Sequence, residues 1–103
     1  MSKTDQLAYS MIASAGDAQA LQFKALDCAK KNDFAASQKK MQEADTLLIK
    51  AHQLQTDLIR EEANGVKNEF SILLVHAQGY VNNAILNKKI IEQMIEIYQE
   101  LRK

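Results

Sequence analysis

The stretch Leu73-Leu74-Val75-His76-Ala77-Gln78-Gly79-Tyr80 sets one ionisable ring among apolar residues that recur every three or four positions, the spacing of an α-helix. The pattern continues almost to Lys103. Phe70, Leu73, Leu74, Ala77, Tyr80, Val81, Ala84, Ile91, Ile95 and Tyr98 trace one face, and Ile72, Val75, Gly79, Asn83, Leu86, Ile90, Ile97 and Leu101 trace a second. Ile90, Ile91, Ile95 and Ile97 would also suit a strand, but Gln, Glu and Met interrupt them at helical spacing and no turn signals bound the segment. The spacing predicts a helix of roughly 50 Å at 1.5 Å per residue. A three-helix bundle needs one apolar stripe per helix, so the second face predicts self-association through this helix.

Two shorter helical patterns precede it. From about Thr4, Leu7, Met11, Ala15, Ala18, Gln22, Ala25 and Ala29 lie along one stripe, with Ala8, Ile12 and Leu26 beside it. Within that helix Ser14-Ala15-Gly16-Asp17-Ala18 groups small residues around a glycine that costs roughly 1 kcal/mol against alanine, which predicts a close approach by another element. Tight helix packing and a wall of a binding site both fit it. Cys28, among alanines, is expected to be a small buried filler. At Lys30-Lys31-Asn32-Asp33-Phe34, cations suit a C-terminal turn, Asn32 suits a left-handed conformation, and Asp33 suits a cap. The second helix is expected over Phe34–Glu62, with Phe34, Met41, Ala44, Leu47, Leu48, Ala51, Leu54, Gln55, Leu58 and Ile59 on its apolar side. Asn64-Gly65 is read as its stop, and Asn68 as the cap of the third helix.

The composition agrees with helices joined by short loops: 103 residues hold no proline and three glycines. We therefore expect an all-α, antiparallel three-helix bundle with a long third helix, one domain over 1–103. Thirteen Lys and Arg balance thirteen Asp and Glu, which removes any bulk electrostatic case for nucleic acid or an anionic membrane. One cysteine excludes an internal disulfide and a multi-thiolate metal site. The apolar runs are far shorter than the ~20 residues needed to cross a bilayer. The first residues, Met1-Ser2-Lys3-Thr4-Asp5, lead into a segment broken by Ser10, Ser14 and Asp17 rather than a signal core, so the expected location is cytoplasmic.

The chain has no Gly-rich phosphate loop, no His-x-x-x-His or His-Glu-x-x-His pair, and no conspicuous pair of catalytic carboxylates. His76 remains. One reading makes it a hydrogen-bonded structural histidine. The other uses a neutral ring nitrogen on a rigid helix to accept a phosphoryl group in line and pass it on, which requires mainly position, a dry surround and donors for the phosphoryl oxygens. Gln78 is close in sequence. His52, one turn from Thr56, is read as structural or as a supporting residue behind the site.

The whole chain resembles the enzyme IIA domains of the lactose/cellobiose (N,N′-diacetylchitobiose) branch of the bacterial sugar phosphotransferase system. The likeness rests on Ser14-Ala15-Gly16-Asp17-Ala18, Asn32-Asp33-Phe34, Ala51-His52-Gln53-Leu54-Gln55-Thr56 and Val75-His76-Ala77-Gln78, in that order and spacing. It implies a homotrimer of three-helix subunits in which His76 is phosphorylated by the phosphocarrier protein HPr. His76 then passes the group to a cysteine of the cognate IIB domain, and IIB phosphorylates the sugar carried by the IIC membrane channel. Gln78 would orient the ring or the phosphoryl oxygens, with Ala15 and Gly16 as the close wall.

The chain departs from the family where His-x-Gln is usually followed by Asp-His and here by Gly79-Tyr80. The resemblance places that aspartate at the trimer axis with a shared metal ion. Gly79, about 60° around the helix from His76, supplies no ligand, so the expectation is a trimer with no axial metal and no cofactor. Asn82 or Asn83 would line the gap. A helical trimer that kept the fold as a regulatory or scaffolding protein, with His76 idle, is the alternative reading. The sugar is left open, since a IIA domain need not touch it.

Overall fold

The computed structural model describes residues 2–103; Met1 lies outside the described residues. Three helices, α1 Lys3–Lys30, α2 Phe34–Ala63 and α3 Ile72–Leu101, run up, down and up in a body of 53 × 24 × 19 Å. The two shorter patterns thus form helices of 28 and 30 residues, with ends within a residue of those expected.

Each helix begins on a side-chain cap. Ser2 Oγ accepts the Asp5 N–H at 3.1 Å, Asp33 Oδ1 accepts that of Ala36 at 3.1 Å, and Ser71 Oγ accepts that of Leu74 at 3.0 Å. The third cap differs from the one expected. Residues 66–71 have no regular structure, so Asn68 caps nothing, and Phe70 is exposed rather than part of the buried face of α3. Ser71, held extended at φ −150°, ψ 150°, sets the start at Ile72 instead.

Both α1 and α2 end on the same motif. After α1, Asn32 takes φ 64°, the Asn32 N–H donates to Ala29 O at 3.0 Å and the Asp33 N–H to Cys28 O at 2.9 Å. After α2, Gly65 takes φ 88°, its N–H donates to Glu62 O at 3.1 Å and that of Val66 to Glu61 O at 2.9 Å. These paired bonds satisfy carbonyls the helix leaves unpaired, and they need a residue that tolerates the left-handed region.

The core is cut from small side chains: Ala8, Met11, Ala15 and Ala18 of α1, Ala44, Leu48, Ala51 and Leu58 of α2, and Ala77, Val81 and Ala84 of α3. Alanines let helix axes approach closely, and α1 packs along both partners, while α2 and α3 touch each other sparingly. Cys28 is partly exposed, not the buried filler expected. Gln22 is fully buried among these apolar residues with both ends of its amide used: Nε2 donates to Ala84 O at 3.1 Å, and Oε1 accepts from Asn87 Nδ2 at 2.8 Å. That pair fixes the register of α1 against α3, and Arg102 Nη2, donating to Lys30 O at 3.1 Å, repeats it at the far end.

The second apolar face of α3 turns away from the bundle. Ile72, Val75, Leu86, Ile90, Ile97 and Leu101 are all exposed, Ile72 by 80% and Leu101 by 73%. Burying such a stripe would gain about 25 cal/mol per Å² of apolar surface, so the chain carries an unspent driving force along α3, a helix of 30 residues like α2.

Candidate functional site

His76 stands on the second turn of α3, exposed, on the flank that looks toward α1. Its ring meets the ring of Tyr80, one turn on, edge to face: centroids 5.0 Å apart, planes at 73°. Tyr80 in turn fills the notch in α1. A Cβ built on Gly16 would sit 3.7 Å from Tyr80 Cε1, and Gln19 Nε2 of α1 donates to Tyr80 O at 3.4 Å. The predicted close approach at Gly16 is therefore made by an aromatic side chain, at ordinary van der Waals distance. Ala15 lies fully buried behind this wall.

Gln78 goes elsewhere. Two residues of helix amount to about 200° of rotation, so Gln78 leaves α3 on the flank toward α2. There its Oε1 accepts from Gln55 Nε2 at 2.7 Å, and the same nitrogen donates to Asn82 Oδ1 at 3.2 Å. The structure thus joins His76 with Tyr80 and, through it, Gly16, and leaves Gln78 on the other side of the helix. His52 is also apart. It is exposed on α2 and lines a groove of about 340 Å³ with Leu48, Ile49, Ile85, Lys88 and Glu92, beginning roughly 14 Å further along α3 than His76. Lys88 and Asp45 form an ion pair there at 3.2 Å. A larger groove, about 560 Å³, lies at the opposite end of the subunit between Phe34, Met41, Glu92 and Ile95.

The residue to which sequence reading gave no role at the site is Gln55, placed on the apolar side of α2 and within the segment 51–56 that carries the resemblance. A glutamine at a core position must find partners for both ends of its amide, and that requirement was the available signal. Among the described residues no three His, Cys, Asp or Glu side chains come together as a metal would require. Gly79 lies on the exposed side of α3 with open space where a Cβ would be. Its neighbours on that side, Val75, Asn82, Asn83 and Leu86, offer no anionic oxygen, so these residues do not fit the divalent cation that the resemblance implies.

Residues 6–99 match the family model described as "PTS system, Lactose/Cellobiose specific IIA subunit". The chain is 36% identical over 97 residues, 94% of its length and 88% of the relative's, to the lichenan-specific phosphotransferase enzyme IIA component of Bacillus subtilis. Among solved structures it superposes on the cellobiose-specific enzyme IIA of Bacillus anthracis with a TM-score of 0.95 at 35% identity, covering 99% of this chain and 94% of that one. It also superposes on the IIA(chitobiose) of Escherichia coli, solved in complex with HPr, with a TM-score of 0.85 at 32% identity and full coverage of both chains.

Proposed function

Because this chain belongs to the lactose/cellobiose-specific IIA subunits of the phosphotransferase system, phosphotransferase components that carry a phosphohistidine, we propose that His76 is its phosphoryl carrier. The supporting observation is the geometry of that ring: exposed, on a 30-residue helix, with its plane set by Tyr80 against α1. A nucleophile that must meet two protein partners in turn needs access to solvent and a fixed direction, and a long helix supplies the second.

HPr is the donor in this reading, as it is the partner in the complex of the Escherichia coli relative. A lone pair on a His76 ring nitrogen forms the N–P bond while the bond from phosphorus to its donor atom on HPr breaks, the electron pair staying with HPr. A cysteine thiolate of the IIB domain then forms the S–P bond as the N–P bond breaks, and the pair returns to His76. The protein supplies position and charge stabilisation in both steps, with no covalent chemistry beyond the histidine. IIB and the IIC channel complete uptake of a β-linked disaccharide. Relatives of similar identity bear the names of lichenan, cellobiose and chitobiose, so the match supports a carrier role and the choice of sugar falls to IIB and IIC. The exposed stripe of α3 is the surface on which three subunits join, and the location is cytoplasmic.

Phosphoenolpyruvate-dependent labelling with enzyme I and HPr, read by intact mass and acid lability, tests this. One acid-labile phosphoryl group per subunit, absent from His76→Ala, is expected. A folded trimer that takes no label would instead be a regulatory or scaffolding protein.

A further inference from the structure

Ordered around the axis of α3 by the 100° step of a helix, the exposed side chains Ile72, Val75, Leu86, Ile90, Ile97 and Leu101 fall within a sector about 80° wide. Gly79 lies at its middle. Two polar side chains lie at its margins, both neutral amides: Asn83 on the line of Leu101, and Gln93 on the line of Val75. No Asp, Glu, Lys or Arg of α3 falls inside the sector. Three identical faces meeting at a threefold axis set every residue beside two copies of itself, so any charge there would meet its like. A sector free of charge therefore suits two further copies of this chain as its occupants.

At the level of position 79 the family pattern supplies a carboxylate and this chain supplies open space. Two asparagines flank it. Asn82 lies about 60° off Gly79, toward α2, and its Oδ1 already accepts from Gln55 Nε2 at 3.2 Å. Asn83 lies about 40° off on the other side and is exposed. A carboxamide carries both donors and an acceptor, so three of them around an axis can close a ring, each N–H donating to the next oxygen, with no ion. Such a polar layer in an apolar seam costs stability and fixes register, because only one alignment pairs every amide. We propose that three Asn83 amides form this ring over the space left at Gly79, and that the ring sets the register of three parallel α3 helices where carboxylates would need a bound cation. The layer rests on the reading that three chains join through α3.

Wild-type protein in EDTA, compared with the same protein in Mg2+ or Ca2+, is expected to show one mass by light scattering and no shift in melting temperature. Gly79→Asp puts a carboxylate into open space, so the subunit keeps its fold while three like charges face one another. Its assembly should fall apart in EDTA and return with Mg2+ or Ca2+. Asn83→Leu makes the stripe continuous, and its melting temperature should rise while native mass spectrometry finds a mixture of oligomers. Loss of mass by the wild type in EDTA overturns the proposal. So does a Gly79→Asp assembly indifferent to EDTA, or an Asn83→Leu protein as uniform as the wild type. A wild type that is monomeric in both buffers overturns the assembly reading itself.

Discussion

The ring of Tyr80 stands between His76 of its own helix and Gly16 of α1, edge-on to the imidazole at 5.0 Å and filling the space a larger residue at position 16 would narrow. An edge-to-face pair is worth about 0.5–1.5 kcal/mol beyond its buried area. Losing it should release the imidazole to other rotamers. Tyr80→Ala is expected to slow phosphoryl acceptance from HPr by about 2- to 10-fold, the same energy read as a rate. Tyr80→Phe keeps the ring pair and should label at nearly the wild-type rate. Initial rates at limiting phospho-HPr decide it, and equal losses in both variants would assign the effect to the phenol hydroxyl instead.

Gly16 gives a prediction of opposite sign for stability. A methyl group there meets Tyr80 at 3.7 Å, an ordinary contact, so nothing within the subunit demands glycine. Gly16→Ala should therefore stabilise the helix by up to about 1 kcal/mol. Thermal unfolding followed by circular dichroism at fixed protein concentration tests the gain. If labelling falls while the melting temperature rises, the notch is kept open for the phosphoryl group or for HPr rather than for packing.

Gln22 should be the costliest polar residue to remove from the core. Truncation opens a cavity and leaves Asn87 Nδ2 without its 2.8 Å acceptor, so both terms act together. Gln22→Ala is expected to cost about 2–4 kcal/mol. Asn87→Ala, at a half-buried position, strands only the glutamine oxygen and should cost about 1–3 kcal/mol. Urea titrations at one protein concentration measure both, because association through α3 would otherwise shift the apparent stability.

How far the sequence carries the fold follows from what local chemistry can decide. Asn32 and Gly65 mark helix ends because few residues accept a positive φ, and both were readable for that reason. The start of α3 was less so. Asn68 and Ser71 are both good caps, and the choice between them depends on where the chain must rise to meet α1, a tertiary matter. Burial on α1 followed its predicted stripe closely, down to Gln22, whereas Phe70 was misplaced with the helix start.

At the site the sequence marked the histidine but misdirected its neighbours. Residues two apart on a helix never share a face, so the nearness of His76 and Gln78 in the sequence placed them on opposite flanks. His52 was grouped with them through its motif and lies in a separate groove beside Lys88. Gln55 was hidden by its apolar neighbours. Its role emerges only when α2 is laid antiparallel to α3 and its amide finds two others within reach.

The exposed stripe on α3 supports the last prediction, which also bears on the site. Leu86 is 57% exposed and Ile90 49%, so a charge at either leaves the subunit's own core intact but sets three carboxylates close together in a trimer closed through that stripe. Ile90→Glu should therefore reduce the mass measured by light scattering from three times 11.6 kDa to one, with the helical signal retained at moderate temperature. Lys24→Glu, on the exposed side of α1, is the control and should leave assembly unchanged. The separated chain keeps an exposed His76, so labelling of Ile90→Glu by phospho-HPr reads whether transfer depends on assembly. A loss of labelling in a folded monomer would show that transfer needs the assembled protein. Fast labelling by a verified monomer would show that one subunit is sufficient and that the stripe serves assembly alone.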